Sequence, residues 1–183
     1  LFGGTFGGQP EYFRQRWNKE PGLVAQYLND TADYVLAHPN TPVHQALRQV
    51  LQDRGVSFQG HVRQMLLLQL RLVHDYLKYY HRYHVHRVLV EAGLRLTTFG
   101  FPHLLDGCPF GRWLDFRPPV SAAEIPQLMA KSHIALNVNA DMAEGIHDRV
   151  FSGMLNGACV VSEDNSLLSS WFTPEEEISV YSI

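Results

Sequence analysis

The sequence predicts an α/β fold in which a parallel β-sheet is covered by helices on both faces. From Leu94 onwards, short and nearly continuous apolar runs alternate with helical segments. Such runs are typical of strands buried on both faces, and the alternation of strand and helix is typical of a parallel sheet. The 183 residues include 45% hydrophobic side chains, which is enough for one domain with a core of its own.

The first part of the chain predicts one strand followed by helices. The opening "LFGG", Leu1–Gly4, is an apolar start followed by glycines, which indicates a strand and a tight turn. Helical spacing of apolar residues from Val43 to Leu51 predicts one helix that stops at Gly55, and a longer stripe from Leu66 to Val88 predicts another. We therefore expect a mainly helical insertion at about 10–91, after the first strand of a single domain that spans residues 1–183.

The second part predicts the rest of the sheet. Ser121 and Glu124 form a capping box that starts one helix, and a helix from about Asp148 ends at Gly157 as its C-cap. A further helical turn is expected at "SLLSSWF". The strands are expected at "LRLTTFGF", "WLDFRPPV", "HIALNVN", "ACVVSED" and "ISVYS".

Composition excludes several classes of protein. The formal net charge of −3 argues against a nucleic-acid partner, and no apolar run is long enough for a transmembrane segment. Cys108 and Cys159 lack the spacing of a zinc site or a disulfide framework, and Cys159 in "ACVV" is expected to be a buried strand residue. We expect a cytoplasmic protein. Both ends of the chain are strand-like, which predicts a piece of a longer protein.

The candidate site is the segment between the strand "HIALNVN" and the next helix. In parallel sheets ligands bind at the carboxyl ends of strands, where the following helices begin. The free N–H groups of the first helical turn suit a phosphate, Gly145 allows close approach, and Arg149 adds a fixed positive charge. His147 can donate a hydrogen bond to an anion, and Glu144 is suited to sugar hydroxyls. The alternative is that Asp148 only caps the helix, Arg149 pairs with a surface acid and His147 is a solvated loop residue.

The histidine-rich segment "HDYLKYYHRYHVHRV" has two interpretations. His81 and His84 lie one helical turn apart, but zinc needs a third ligand, and Asp75 is poorly phased with them. The segment is therefore expected to be an amphipathic helix with surface imidazoles, with Arg82 and Arg87 as surface charges or ion-pair partners. No metal site is expected here.

An ordered set of features between about residues 88 and 182 resembles the C-terminal half of GT-B glycosyltransferases. It is most similar to the group related to spore-maturation glycosyltransferases, and it implies a Rossmann-like domain. The features that carry the resemblance are Leu136-Asn137, Gly145-Ile146-His147-Asp148-Arg149-Val150-Phe151, Gly157-Ala158, Phe172 and Glu177-Ile178.

The resemblance implies roles for particular residues. Retaining members carry two glutamates eight positions apart, for the donor sugar and the ribose; Glu144 stands at the first position, and Ser152 departs from the pattern at the second. Serine can bond a ribose hydroxyl only as a neutral group, which is weaker. The resemblance implies Arg149, His147 and Glu144 as catalytic residues. The implied donor-binding residues are Gly4, Thr5, Phe101, Asn137, Gly145, Ile146, Asp148 and Ser152. The turn Gly3–Thr5 could equally contain glycines for backbone reasons alone.

The implied reaction is transfer of a glycosyl group from a nucleoside-diphosphate sugar, with no cofactor. The leaving diphosphate would be stabilised by the helix N-terminus and Arg149, with His147 assisting, so no metal is required. The acceptor site is expected in a missing N-terminal half, and a peripheral location at the inner membrane face is compatible with this. Two alternatives stay open: a degenerate GT-B-like scaffold that binds no donor, and another Rossmann-like protein that binds a dinucleotide or a flavin. Against the latter, "LFGGTFGG" lacks the dinucleotide-binding spacing.

Overall fold

The chain divides into two compact units. Leu1–Gln9 and Tyr79–Ile183 form one unit, which contains the sheet, and Pro10–Lys78 form the other, which is helical. We call them the sheet unit and the helical unit; the predicted single-domain organisation with an insertion stays a prediction. The structure is a computed structural model, and it describes residues 1–20, 22–39, 41–139 and 145–182.

Among its described residues, the helical unit contains three helices and the first part of a fourth. These are α1 (Pro10–Trp17), α2 (Gly22–Ala37), α3 (Val43–Asp53) and α4 (Gly60–Glu91), of which 79–91 belong to the sheet unit. The buried Trp17 ring packs edge-on against Tyr76 with centroids 5.4 Å apart, and its N–H donates to Asn29 Oδ1 at 3.1 Å. Gly55 has a φ of +65° just after α3, which confirms the predicted stop.

In the part of the chain that the structure describes, the sheet unit has six parallel strands in the order β3-β2-β1-β4-β5-β6. The predicted α/β fold with a Rossmann-like parallel sheet is therefore confirmed. The strands are β1 (Phe2–Thr5), β2 (Thr97–Phe99), β3 (Asp115–Arg117), β4 (Ile134–Asn137), β5 (Cys159–Glu163) and β6 (Ser179–Tyr181). The helices between the later strands are α5 (Ile125–Ala130), α6 (Asp148–Leu155) and α7 (Ser166–Trp171), with 3₁₀ turns at Pro102–Leu105, Gly111–Trp113 and Ala122–Glu124.

Apolar clusters cover both faces of the sheet. Successive side chains of a strand point to opposite faces, and β4 shows this directly. Leu136 packs in a cluster with Phe6 and Phe110, whereas its neighbour Ala135 packs in another cluster with Val150 of α6. Strand β4 is an apolar run because both of its faces are buried.

Local signals in the second part are confirmed, with one exception. Ser121 and Glu124 form the predicted capping box, and Gly157 has a φ of +77° after α6. The prediction that Cys159 is buried is wrong, because it is the first residue of β5 and its side chain is exposed while that of Val160 is buried. None of the helices described is both long and apolar enough to cross a membrane.

Candidate functional site

The carboxyl ends of β1 and β4 meet at the point where the strand order changes direction. From β1 the chain builds the sheet outwards to β3, and from β4 it builds outwards in the opposite direction to β6. The two strands are hydrogen-bonded neighbours, with Phe2 opposite Ala135. In open α/β sheets the crevice at this switch point is the usual place for a ligand. The segments of interest are therefore the turn after β1 and the corner between β4 and α6.

The turn at the end of β1 lies against a guanidinium group. Gly4 has a φ of +72°, which favours glycine, and a Cβ atom there would lie 3.3 Å from the Arg149 guanidinium carbon. Thr5, the last residue of β1, is exposed. Two predicted site residues, Gly4 and Arg149, are thus brought together although they are far apart in the sequence.

Arg149 combines partial burial with a positive charge. It lies in the first turn of α6, where backbone N–H groups carry partial positive charge. The pKa of Arg149 is lowered to about 10, mainly by burial and then by the nearby charge of Arg82, whereas the Asp148 carboxylate acts in the opposite direction. The guanidinium remains protonated at neutral pH, so this corner is cationic.

His147 caps α6 through its imidazole ring. Its Nδ1 accepts a hydrogen bond from the Arg149 backbone N–H at 3.1 Å. The same Nδ1 lies against the Asp148 carboxylate, a contact that would need a proton on Nδ1. A backbone N–H can only donate, so we assign the lone pair to Nδ1 and the proton to Nε2. Any donation by neutral His147 to a ligand would therefore come from Nε2.

Gly145 is held by two asparagines that follow neighbouring strands. Its carbonyl accepts from Asn139 Nδ2 at 3.0 Å and from Asn165 Nδ2 at 2.8 Å. The Asn139 backbone N–H donates to Glu163 Oε2 at 2.8 Å, and Asn165 Oδ1 caps α7 by accepting from the Leu168 N–H. Neither asparagine was predicted from the sequence. An amide side chain shortly after each of two neighbouring strands is the pattern that could have indicated them.

Asn137 lies at the end of β4 and is almost completely buried. Its Nδ2 donates to Ser162 Oγ at 3.0 Å, and its carbonyl accepts from the Tyr181 hydroxyl at 2.9 Å. Burial, and then the Glu163 charge, raises the pKa of Tyr181, so the phenol stays protonated as a donor. These bonds join β4 to β5 and β6 next to the switch point.

The other predicted site residues have varied surroundings. Ile146 packs against the apolar cluster that contains Val150, and Asp148 is exposed in the first turn of α6. Ser152 is half-buried and follows Arg149 by three positions, so the two share a helix face. Phe101 is 58% exposed after β2, and its ring stacks on His103 with centroids 5.9 Å apart. Glu144 lies outside the described residues.

The second part of α4 contributes buried polar groups that were not expected. His81, Arg82 and His86 are buried, so the prediction of surface imidazoles is wrong for the two histidines. Arg82 is not a surface charge, and its alternative role as an ion-pair partner stays a prediction. His86 Nε2 bonds the Gly3 carbonyl at 3.1 Å, and His81 Nδ1 bonds Glu163 Oε1 at 3.0 Å. The predicted apolar stripe does not continue to its end, because Val88 is exposed.

The described residues show no group of three or more His, Cys, Asp or Glu side chains that could hold a metal ion. The charge of Arg82 contributes to the lowered pKa of Arg149.

The strand order, the glycine turn and the cationic corner of α6 define a Rossmann-like α/β protein whose polar groups gather at its switch point. The model of a glycosyl transferase-like family matches residues 63–183, which is more than half of the chain. The chain belongs to this glycosyl transferase-like family, and membership supports glycosyl transfer as its general activity. Comparisons with curated proteins and with solved structures gave no significant match.

Proposed function

We propose that this chain is the donor-binding part of a glycosyltransferase and that it holds a nucleoside-diphosphate sugar at the carboxyl edge of its sheet. The observation that carries the proposal is the Arg149 guanidinium lying against Gly4, at the switch point between β1 and β4. A diphosphate here lies between the glycine turn and the first turn of α6. Both the charge of Arg149 and the partial positive charge at the start of α6 favour it.

The same groups serve the reaction. When the glycosyl bond breaks, the diphosphate leaving group gains negative charge, and fixed donors that already point at it stabilise the transition state. Arg149 supplies charge, and His147 can donate from Nε2 because its Nδ1 accepts from the Arg149 N–H. In this proposal Arg149 and His147 keep the catalytic roles that the sequence predicts.

The remaining roles follow the resemblance. Glu144 binds a hydroxyl of the donor sugar and Ser152 a hydroxyl of the ribose, and the loop at Phe101 contacts the base. The acceptor binds to an N-terminal half of the same protein. This chain alone therefore binds the donor but transfers no sugar; detectable transfer to an added acceptor by the isolated chain would refute that part.

The first test is calorimetric titration with UDP, GDP, ADP, TDP and CMP. One of these should bind to the wild type, and Arg149→Gln should weaken it roughly 10- to 100-fold, because a charge-assisted bond to phosphate is lost. Arg95→Gln is the matched control, since Arg95 is 83% exposed before β2. Unchanged binding in Arg149→Gln would contradict the proposal, and a preference for NAD or FMN would favour the dinucleotide or flavin alternative.

Absence of binding to any of these nucleotides would favour the alternative that the chain is a degenerate scaffold that binds no donor. Ser152 is the departure that supports that alternative, because a ribose-binding glutamate is expected at its position. Ser152→Glu restores a charge-assisted bond on the face that also carries Arg149. A gain of nucleotide binding in Ser152→Glu would identify a domain that lost its donor through this position. No gain would favour either a scaffold or a site completed by another part of the protein.

A further inference from the structure

One cavity of the sheet unit lies away from the candidate site, between the last turns of α4 and the loop before β3. Its volume is about 660 Å³, which is typical of small-molecule pockets. Its lining includes Glu91, the last residue of α4 before β2, and Trp113, two residues before β3. Because β2 and β3 are parallel, they start at the same edge of the sheet, opposite the carboxyl edge. We call this cavity, between Tyr83–Glu91 and Pro109–Trp113, the amino-edge pocket.

The walls of the amino-edge pocket are mainly aromatic. Phe110 is buried and Tyr83 is half-buried, and their rings meet edge-on with centroids 5.0 Å apart. Trp113 is 53% exposed, and the Arg112 guanidinium lies over its ring, 3.9 Å from the centroid. That contact holds the indole from one face and leaves the other face for a ligand. The rest of the apolar lining is Val90 and Pro109.

Two opposite charges complete the lining. Arg87 and Glu91 lie one helical turn apart on α4, and the 3.9 Å between Nε and Oε1 is too long for a hydrogen bond. Arg87 Nε is buried and has no hydrogen-bond partner among the described residues, so a ligand would meet the terminal N–H groups of the guanidinium. The two charges balance each other, so the pocket favours a neutral ligand that both donates and accepts hydrogen bonds.

A neutral saccharide has this chemistry. The face of an aromatic ring carries partial negative charge, and the C–H bonds on one face of a pyranose ring, polarised by the sugar oxygens, pack against it. Sugar hydroxyls both donate and accept, so neighbouring hydroxyls can donate to Glu91 and accept from Arg87. Burial raises the pKa of Tyr83, so its phenol stays protonated and can bond a further hydroxyl.

A proline-rich peptide is the rival ligand, because such peptides also pack on aromatic walls. Proline has no backbone N–H, so a proline-rich segment would leave the Glu91 carboxylate without a donor. The charged pair therefore favours the saccharide.

We propose that the amino-edge pocket binds a neutral saccharide, with one face of a pyranose ring against Trp113 and its hydroxyl groups bonded to Arg87 and Glu91. The inference does not rest on the proposed function, because none of the residues that line this pocket belongs to the proposed donor site. The chain would hold a glycan at one edge of its sheet, away from the edge proposed to bind the nucleotide.

The first test is nitrogen-15 NMR of the tryptophan indole N–H groups. The chain has three tryptophans, Trp17, Trp113 and Trp171, and Trp113→Phe identifies the signal of Trp113 by its loss. The probes are maltose, cellobiose and N-acetylglucosamine, with hexaproline amide and indole for comparison. At least one of the sugars should move the Trp113 signal and leave the signals of the buried Trp17 and the exposed Trp171 in place.

The second test compares sugar binding by variants, followed on the NMR signals of the sugar. Trp113→Ala should weaken binding about tenfold, whereas Trp113→Phe, which keeps an aromatic face, should stay within about threefold of the wild type. Arg87→Gln and Glu91→Gln should each weaken it about three- to tenfold, since each removes a charge-assisted bond. Trp171→Ala is the matched control, because Trp171 is 64% exposed on α7 and should not affect the sugar.

The outcomes separate this inference from the proposed function. Sugar binding that is unchanged in Trp113→Ala, or no shift of the Trp113 signal with any of the sugars, overturns the inference. A Trp113 signal that moves with hexaproline amide or indole but not with sugars identifies a peptide or purely apolar groove and also overturns it. Trp113→Ala should leave nucleotide binding unchanged, because the two sites lie at opposite edges. Sugar binding without nucleotide binding therefore supports the pocket and contradicts the proposed function, and nucleotide binding without sugar binding does the reverse.

Discussion

Helix α4 buries opposite kinds of side chain in its two parts. The part in the helical unit buries Leu66, Leu70, Val73 and Leu77, whereas the part in the sheet unit buries His81, Arg82 and His86. A polar group can be buried where it meets a partner, and the second part meets the Gly3 carbonyl and the Glu163 carboxylate. One helix thus serves as an apolar support in one part and as a carrier of polar groups in the other.

The largest effect is expected from the apolar part. Leu66→Ala removes a fully buried side chain and should lower the free energy of unfolding by about 2–5 kcal/mol. Leu68→Ala on the same helix is the control, because Leu68 is 80% exposed; its effect should stay within about 0.5 kcal/mol. Urea unfolding of both variants measures the difference. Equal effects would mean that this part of α4 is not packed as described.

The polar part should make stability depend on pH. Burial lowers the pKa of His86 from 6.5 to about 4, the charges of Arg82 and Arg149 act in the same direction, and the bond to the Gly3 carbonyl opposes them. As pH falls from about 6.5 to 4, the unfolded chain binds a proton at His86 and the folded chain does not, so stability is lost. The loss due to this residue is at most about 3 kcal/mol.

His86→Gln removes the titratable imidazole but keeps an amide that can donate to the Gly3 carbonyl. Its stability should fall less between pH 7 and pH 4 than that of the wild type, as measured by urea unfolding at each pH. His61→Gln provides the comparison from the apolar part, because His61 is exposed and its replacement should leave the pH dependence unchanged. Parallel curves for the wild type and His86→Gln would show that His86 is not buried as a neutral group.

The fold could be predicted because its signals are local. The apolar runs from Leu94 onwards, the capping box at Ser121 and the glycine after α6 each act within a few residues. The buried polar groups of α4 could not be predicted in this way. Helical periodicity gives the phase of an apolar stripe, but His86 is buried because of a carbonyl 83 positions away in the sequence. Such pairings depend on tertiary contacts, which a single sequence does not reveal.

The site shows the same limit. The predicted Arg149 and Gly145 lie at the carboxyl edge because the strand-to-helix pattern places them there. The contact between Arg149 and Gly4 could be predicted only by knowing that β1 pairs with β4. The bond from Asn165 to the Gly145 carbonyl could be predicted only by knowing the register of β4 with β5. Sequence therefore predicted which corner holds the polar residues but not which of them touch.

A smaller effect on stability is expected from removing a helix cap, and the effect on nucleotide binding should distinguish a cap at the site from a cap elsewhere. Asn165→Ala removes the cap of α7 and one of the two bonds to the Gly145 carbonyl, and should cost about 1–2 kcal/mol of stability. Ser121→Ala removes a cap away from the site and should cost about 1 kcal/mol. Only Asn165→Ala should also weaken nucleotide binding, because it removes a bond that holds Gly145 near Arg149. Equal binding by both variants would separate this loop from the ligand.

The smallest effect is expected from an exposed charge on the polar part of α4. Arg87 and Glu91 form a pair one helical turn apart, with side chains 44% and 65% exposed and with Nε and Oε1 separated by 3.9 Å. Water screens such pairs, so Arg87→Gln should change the free energy of unfolding by no more than about 0.5 kcal/mol, and less in high salt. Thermal unfolding at low and high salt measures this. Arg82→Met removes a buried guanidinium. It should change the free energy of unfolding by more than Arg87→Gln does, and salt should barely alter that change. Equal changes in the free energy of unfolding for the two variants, with equal dependence on salt, would contradict the description of Arg82 as the more buried of the two arginines.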